Sequence, residues 1–132
     1  VAKACNQMVS VGTAAVLAEA PHLAARQGLD AAKFAQAVEG GFADSTVLRL
    51  CGPAMLSGKL SGSTLTALKD MEIAVDLGRE AVAPMPMISL LTSLLRVLVS
   101  QGDVTGGISA PMRLYCHGAL AEKAPSSATN RA

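Results

Sequence analysis

Apolar residues return at helical spacing along residues 1–28, where Met8, Val11, Ala14, Ala15, Ala18 and Leu23 mark one long first helix. A second helical pattern runs over 64–82, "TLTALKDMEIAVDLGREAV". A third, at 87–101, is apolar almost all round, which implies burial in a domain centre or a subunit interface. No segment shows the strict alternation of a strand. Core volume is also restricted, because the chain holds one Tyr, two Phe and no Trp. It must come from Leu, Val, Met, Ile and Ala, which favours closely packed helices. The expectation is an all-α domain.

Glycine and proline punctuate these helices. Pro21 removes a backbone hydrogen bond and is expected to kink or split the first helix. Gly28 suits the position after a helix end, and Asp30 is a good N-cap for "AAKFAQAVE". "ADSTVLRLCG" reads as a short helix capped by Asp44 or Ser45, and "GPAMLSGKLSGS" as a loop with one helical turn at most. Pro84 and Pro86 end the 64–82 helix. "ISAPMRLYCHGALAE" reads as a last helix weakened by Pro111. The division expected is a helical domain over 1–122 and a flexible tail over 123–132.

Charge and cysteine usage exclude several function classes. Net charge is +1 with no basic block, so nucleic acid is not an expected partner. Three widely spaced cysteines, Cys5, Cys51 and Cys116, fit a reduced cytoplasmic protein better than a disulfide framework. Cys116 and His117 are adjacent but have no partner pair, so no metal site is expected. The N-terminus shows no signal-peptide pattern. The longest apolar run, "MISLLTSLLRVLV", contains Arg96 and is too short to span a bilayer, so no membrane partner is expected.

Two groups of polar residues are candidates for chemistry. Lys3, Asn6, Gln7 and Ser10 share one face of the first helix, since residues three, four and seven apart stack together. A lysine held there can stabilise a developing alkoxide and pass it a proton. The plainer reading is a solvated helix start. Lys69, Glu72 and Asp76 also lie close to one face, where a salt-bridged surface helix explains them well. "GPAMLSGKL" imitates a phosphate-binding loop but fails, because Gly52 and Gly58 are one residue too far apart and Leu60 replaces the magnesium-binding hydroxyl. His22 and His117 have no nucleophile motif near them.

Two of these segments together resemble a known family. "VAKACNQ" is similar to the second half of the G-x-G-x-x-x-K-x-x-x-N pattern of 3-hydroxyisobutyrate (β-hydroxyacid) dehydrogenases. "KDMEIAVD" resembles their K-D-L-x-x-A-x-D, with Met71 in place of leucine. "LAEAPHLAARQGLD" and "GGFADSTVLRLCGPAML" also resemble the family's helical domain, so the likeness covers roughly residues 1–115. The fold it implies is a multi-helix domain like the C-terminal domain of 6-phosphogluconate dehydrogenase. Gln7 stands where the pattern has its final Asn, and the resulting "NQ" pair is similar to the 2-hydroxy-3-oxopropionate (tartronate semialdehyde) reductase branch.

The resemblance implies roles. Lys3 would be the catalytic acid and base, Asn6 and Gln7 would bind substrate, and Lys69 and Asp70 would lie on the cofactor side. The cofactor would be NAD or NADP, and the partners a small hydroxyacid, a Rossmann domain ahead of Val1 and a second copy of the chain. Without that Rossmann domain the chain is expected to be inactive alone, since the cofactor's pyrophosphate has no helix N-terminus to rest on. The alternative is a helical interaction module that has lost the chemistry.

Overall fold

The computed structural model describes residues 1–115. Among them the fold is all-helical. Five α-helices, α1 (Ala2–Arg26), α2 (Ala31–Val38), α3 (Thr46–Ser57), α4 (Thr64–Glu80) and α5 (Pro86–Ser100), are followed by a 3-10 helix, Gly107–Met112. The only strand-like pairing among the described residues is an isolated bridge between Ser63 and Thr105.

Local chemistry sets most of these boundaries. The carboxylate of Asp30 accepts from the backbone N–H of Ala32, Ser45 Oγ from Leu48, and Ser63 Oγ from Thr66, so three helices begin on side-chain caps. Helix α1 ends on a Schellman turn. Gly28, at φ +83°, donates to the carbonyl of Ala25, and Leu29 donates to that of Ala24. Gly102 closes α5 in the same way. Pro86 starts α5 at its first turn, where its missing N–H costs nothing.

The structure departs from the sequence expectations in three places. Helix α1 runs through Pro21 without being split; the proline is buried, and packing on both sides outweighs one lost backbone bond. Helix α3 continues through Pro53 to Ser57, so the expected loop there is largely helical. Leu48, Gly52 and Met55 on its buried face keep it folded. The last expected helix opens as a 3-10 turn around Pro111 and is helical at 113–115, and its remainder, with the 123–132 tail, lies outside the described residues. Helix α5 packs Ile88, Leu91, Leu95 and Leu98 into the domain core, while Met87, Leu90 and Val97 on its other side are exposed.

Helix α1 is the wall shared by two cores. Val11 meets Leu68, Met71 and Ala74 of α4 and Leu91, Leu95 and Leu98 of α5 in the first. Ala14 and Leu17 meet Leu48 and Met55 of α3 in the second, with Phe34 and Val38 of α2 against them. Among the described residues α1 is also the one helix long and apolar enough, by length and composition, to cross a membrane. Its inward face, Val11, Ala14, Leu17 and Ala18, is packed into the domain.

A close crossing fixes the start of α4. Gly106 N–H donates to the carbonyl of Gly62, and the fully buried Thr64 donates its hydroxyl to the carbonyl of Thr105 at 2.8 Å. A Cβ on Gly107 would stand 2.9 Å from the Ser61 carbonyl oxygen, so the two glycines let the backbones meet. Arg113 ties the far side by pairing with Asp103 and the Thr105 carbonyl.

Val82 closes the Schellman turn after α4 at φ +53°, a left-handed conformation that a β-branched side chain resists. Its side chain is 91% exposed, so nothing offsets the strain. Val82→Gly is expected to raise unfolding free energy by about 1 kcal/mol in urea titration. Tyr115 donates to Glu19 Oε1 at 2.8 Å and lies against His22. Burial, then the hydrogen bond to Glu19 and its charge, push the Tyr115 phenol up from its usual 10.0 to about 12. A raised folded-state value makes this contribution complete below pH 10 and lost as pH climbs towards about 12. Tyr115→Phe should therefore lose less stability than the native chain across that window in thermal melts.

Candidate functional site

The first turns of α1 lie against the middle of α4, and the two helices enclose a depression of about 160 Å³. Lys3, Ala4 and Gln7 line it from α1; Asp70, Ile73 and Leu77 line it from α4. Helical spacing explains the set. Lys3 and Gln7 are one turn apart, as are Ile73 and Leu77, and Asp70 stands one turn before Ile73.

One hydrogen bond joins the two walls: Gln7 Nε2 donates to Asp70 Oδ2 at 2.7 Å. Both residues are half-buried, which shields this bond more than a surface contact. Asn6 Nδ2 donates to Gln7 Oε1 at 3.4 Å, and Ser10 Oγ donates to the Asn6 carbonyl at 3.0 Å. Lys3 is exposed at the rim and has no ion-pair partner among the described residues. The result is an ammonium, an amide pair and a carboxylate beside an apolar wall of Ile73 and Leu77.

The structure thus brings Lys3, Gln7 and Asp70 together and reaches Asn6 through Gln7. Lys69 is exposed and does not line the depression, because it precedes Asp70 by one residue and so points about 100° away. The charged face expected along α4 divides in two. Glu72 pairs with Arg96 of α5 at 2.9 Å, and Asp76 with Arg79 at 2.8 Å, while Lys69 has no ion-pair partner among the described residues. Both pairs are well exposed and add little stability. Ile73 and Leu77 escaped the sequence reading: their spacing from Asp70 puts them near one face of α4, but nothing within α4 shows that α1 lies against it. No group of three metal-binding side chains occurs among the described residues, and Cys116 and His117 lie outside them.

A larger groove, about 730 Å³, lies on the outer side of α1. Met8, Val9, Val16, Phe34, Phe42 and Met87 are among its lining residues, and Phe42 is fully exposed. No member of the Lys3 group enters it.

An all-helical domain with this polar pair of helices has known relatives. Residues 1–115 match the family described as the NAD-binding of NADP-dependent 3-hydroxyisobutyrate dehydrogenase. The oxidoreductase YkwC of Bacillus subtilis is 30% identical over 115 residues, which are 86% of this chain and 40% of YkwC. The fold matches that of a 3-hydroxyisobutyrate dehydrogenase from Salmonella typhimurium, with a TM-score of 0.79 at 20% identity over 86% of this chain and 41% of that one. It also matches a Mycobacterium tuberculosis 3-hydroxyisobutyrate dehydrogenase solved with L-serine, with a TM-score of 0.77 at 23% identity over 86% and 42%. The relatives that share this domain are oxidoreductases and dehydrogenases. The chain belongs to the 3-hydroxyisobutyrate dehydrogenase family, and it spans about two fifths of the length of each of these relatives.

Gln7→Leu removes the bond between α1 and α4 and leaves the Asp70 carboxylate facing an apolar group. Unfolding free energy should fall by about 1 kcal/mol in urea titration.

Proposed function

We propose that this chain is the helical substrate-binding and dimerisation domain of an NAD(P)-dependent oxidoreductase that interconverts a small β-hydroxyacid and its semialdehyde or oxo acid. The observation that carries the reading is the Gln7–Asp70 bond, which sets Lys3 beside an amide pair at the edge of a concave, half-apolar site. At about 160 Å³ the depression is small for a ligand pocket, where about 300 Å³ is a usual minimum. A second wall from a Rossmann domain of the full-length protein would complete it.

The residues fit a nicotinamide ring and a small acid, since Ile73 and Leu77 offer apolar surface and Lys3 and Gln7 offer polar groups, with Asn6 beside Gln7 at the rim. The cofactor, NAD or NADP, would supply or take up a hydride at the substrate carbon. Lys3 supplies the matching proton. In reduction its ammonium gives a proton to the carbonyl oxygen as negative charge builds there; in oxidation its neutral amine takes the hydroxyl proton. Asn6 and Gln7 hold the acid in place. Lys69 would reach the cofactor from the neighbouring face of α4.

The "NQ" pair supports the 2-hydroxy-3-oxopropionate reductase branch. The exposed apolar groove beside Phe42 and the outer face of α5 support a homo-oligomer, because apolar patches of this kind need cover. Cys5 and Cys51 are free thiols, which supports a cytoplasmic setting. The same exposed face also favours the second reading, a non-catalytic interaction module.

Lys3→Ala in the full-length protein separates the two. The catalytic reading expects turnover to fall by about 10²- to 10⁴-fold with the cofactor dissociation constant within about twofold of native. Unchanged turnover would remove Lys3 from catalysis.

A further inference from the structure

The turn after α4 combines two features that the helical domain does not use. Four consecutive apolar residues, Ala81, Val82, Ala83 and Pro84, are all exposed. A run of that kind is out of place on a surface unless something covers it. Val82 also holds φ +53°, a left-handed conformation that glycine or asparagine would fill at lower cost. Strain of this sort persists where the residue has a use, yet the Val82 side chain is 91% exposed and gains little from the described domain in return.

The turn is nevertheless held firmly. Ala83 N–H donates to the Gly78 carbonyl at 2.8 Å, and Val82 N–H donates to the Arg79 carbonyl at 3.2 Å. Met85 folds back on the last turns of α4, so close that a Cβ on Gly78 would stand 2.4 Å from its Cγ. The four apolar residues are therefore presented at a fixed place, which lowers the entropy cost of covering them.

Their position points to what covers them. Helices α1 and α4 run antiparallel. Gln7 meets Asp70, whereas Val1 and Lys3, earlier in α1, share the depression with Ile73 and Leu77, later in α4. Helix α4 ends at Glu80, three residues past Leu77 or roughly 4.5 Å further along the axis. The turn thus stands at the end of the helix pair where Val1 lies, and Val1 is itself 87% exposed. A Rossmann domain joined ahead of Val1 would emerge beside it. None of the four residues lines the groove beside Phe42, so the surface read above as a subunit contact does not reach them.

We infer that the exposed turn at 81–84, with Val82 as its anchor, is a docking surface for an apolar patch on the Rossmann domain of the same full-length chain, and that it sets how that domain closes over the Lys3 depression. The inference rests on the functional reading above for the identity of the covering domain.

The test uses the full-length protein with Val82→Cys carrying a benzophenone thiol label. Val82 is exposed in the helical domain, so the label does not force the core apart. Illumination should join position 82 to the sequence ahead of Val1 within a single chain, as mapped by mass spectrometry. A product that joins two chains, a product confined to residues 1–132, or no product overturns the inference.

Two substitutions separate docking from local strain. Val82→Asp eases the turn, because aspartate tolerates the left-handed region, but it places a charge in the covered face. It should lower kcat/KM of the full-length protein by about tenfold or more. Val82→Ile keeps both the strain and the apolar surface and should stay within about twofold of native. An aspartate variant as active as the native protein would mean that the turn acts through its backbone alone, and would overturn the inference. The cross-link needs no turnover, so its failure is distinct from that of the catalytic reading. Unchanged turnover in Lys3→Ala removes the catalytic role and leaves the docking result as it stands.

Discussion

The domain depends on α1 acting as a common wall. Val11 closes a core against α4 and α5, while Ala14 and Leu17, one turn later, close another against α3 and α2. Small residues make this arrangement feasible. Ala14, Ala18, Ala67 and Ala74 are all buried, and alanine lets helix axes approach closely without leaving voids. A chain with almost no aromatic side chains has few other ways to fill its interior. The same constraint explains why Pro21 and Pro53 are tolerated inside helices, since both helices are held by neighbours as well as by their own backbone bonds.

That wall also builds the candidate site. Burying Val11 against Met71 sets the register of α1 on α4, and the register brings Gln7 level with Asp70. The loop that starts α4 is pinned by the Gly62–Gly107 crossing and by Thr64, so α4 enters the pair from a fixed point. Polar chemistry is thus placed by apolar packing one turn away. A single charge-assisted hydrogen bond then orients the amide side chains, which packing alone leaves free to flip.

Much of the secondary structure was legible in the chain. Asp30 and Ser45 cap where capping chemistry predicts, and Gly28 ends α1 because only a left-handed residue satisfies its last carbonyls. The departures share one cause. Pro21 and Pro111 were read by their local cost and "GPAMLSGKLSGS" as a loop, yet burial against other helices decided the outcome at Pro21 and along α3. For α5, apolarity all round suggested burial in a domain centre or a subunit interface, and the domain covers one of its faces. Lys3, Asn6 and Gln7 were visible as a group from helical spacing. Ile73 and Leu77 were not, because a pocket wall between two helices has no signature within either one.

The sequence by itself determined the helices, their caps and the polar face of α1, since these follow from contacts within a few residues. It also carried the two motifs that tie the chain to its family. Only the tertiary structure decided that Gln7 meets Asp70 and that Lys69 stands apart from Lys3's depression. Gln7 and Asp70 are 63 positions apart, and the chain between them carries no local signal of that meeting. It arises from how Val11, Met71 and Leu95 pack, and packing is a property of the whole core rather than of any one segment.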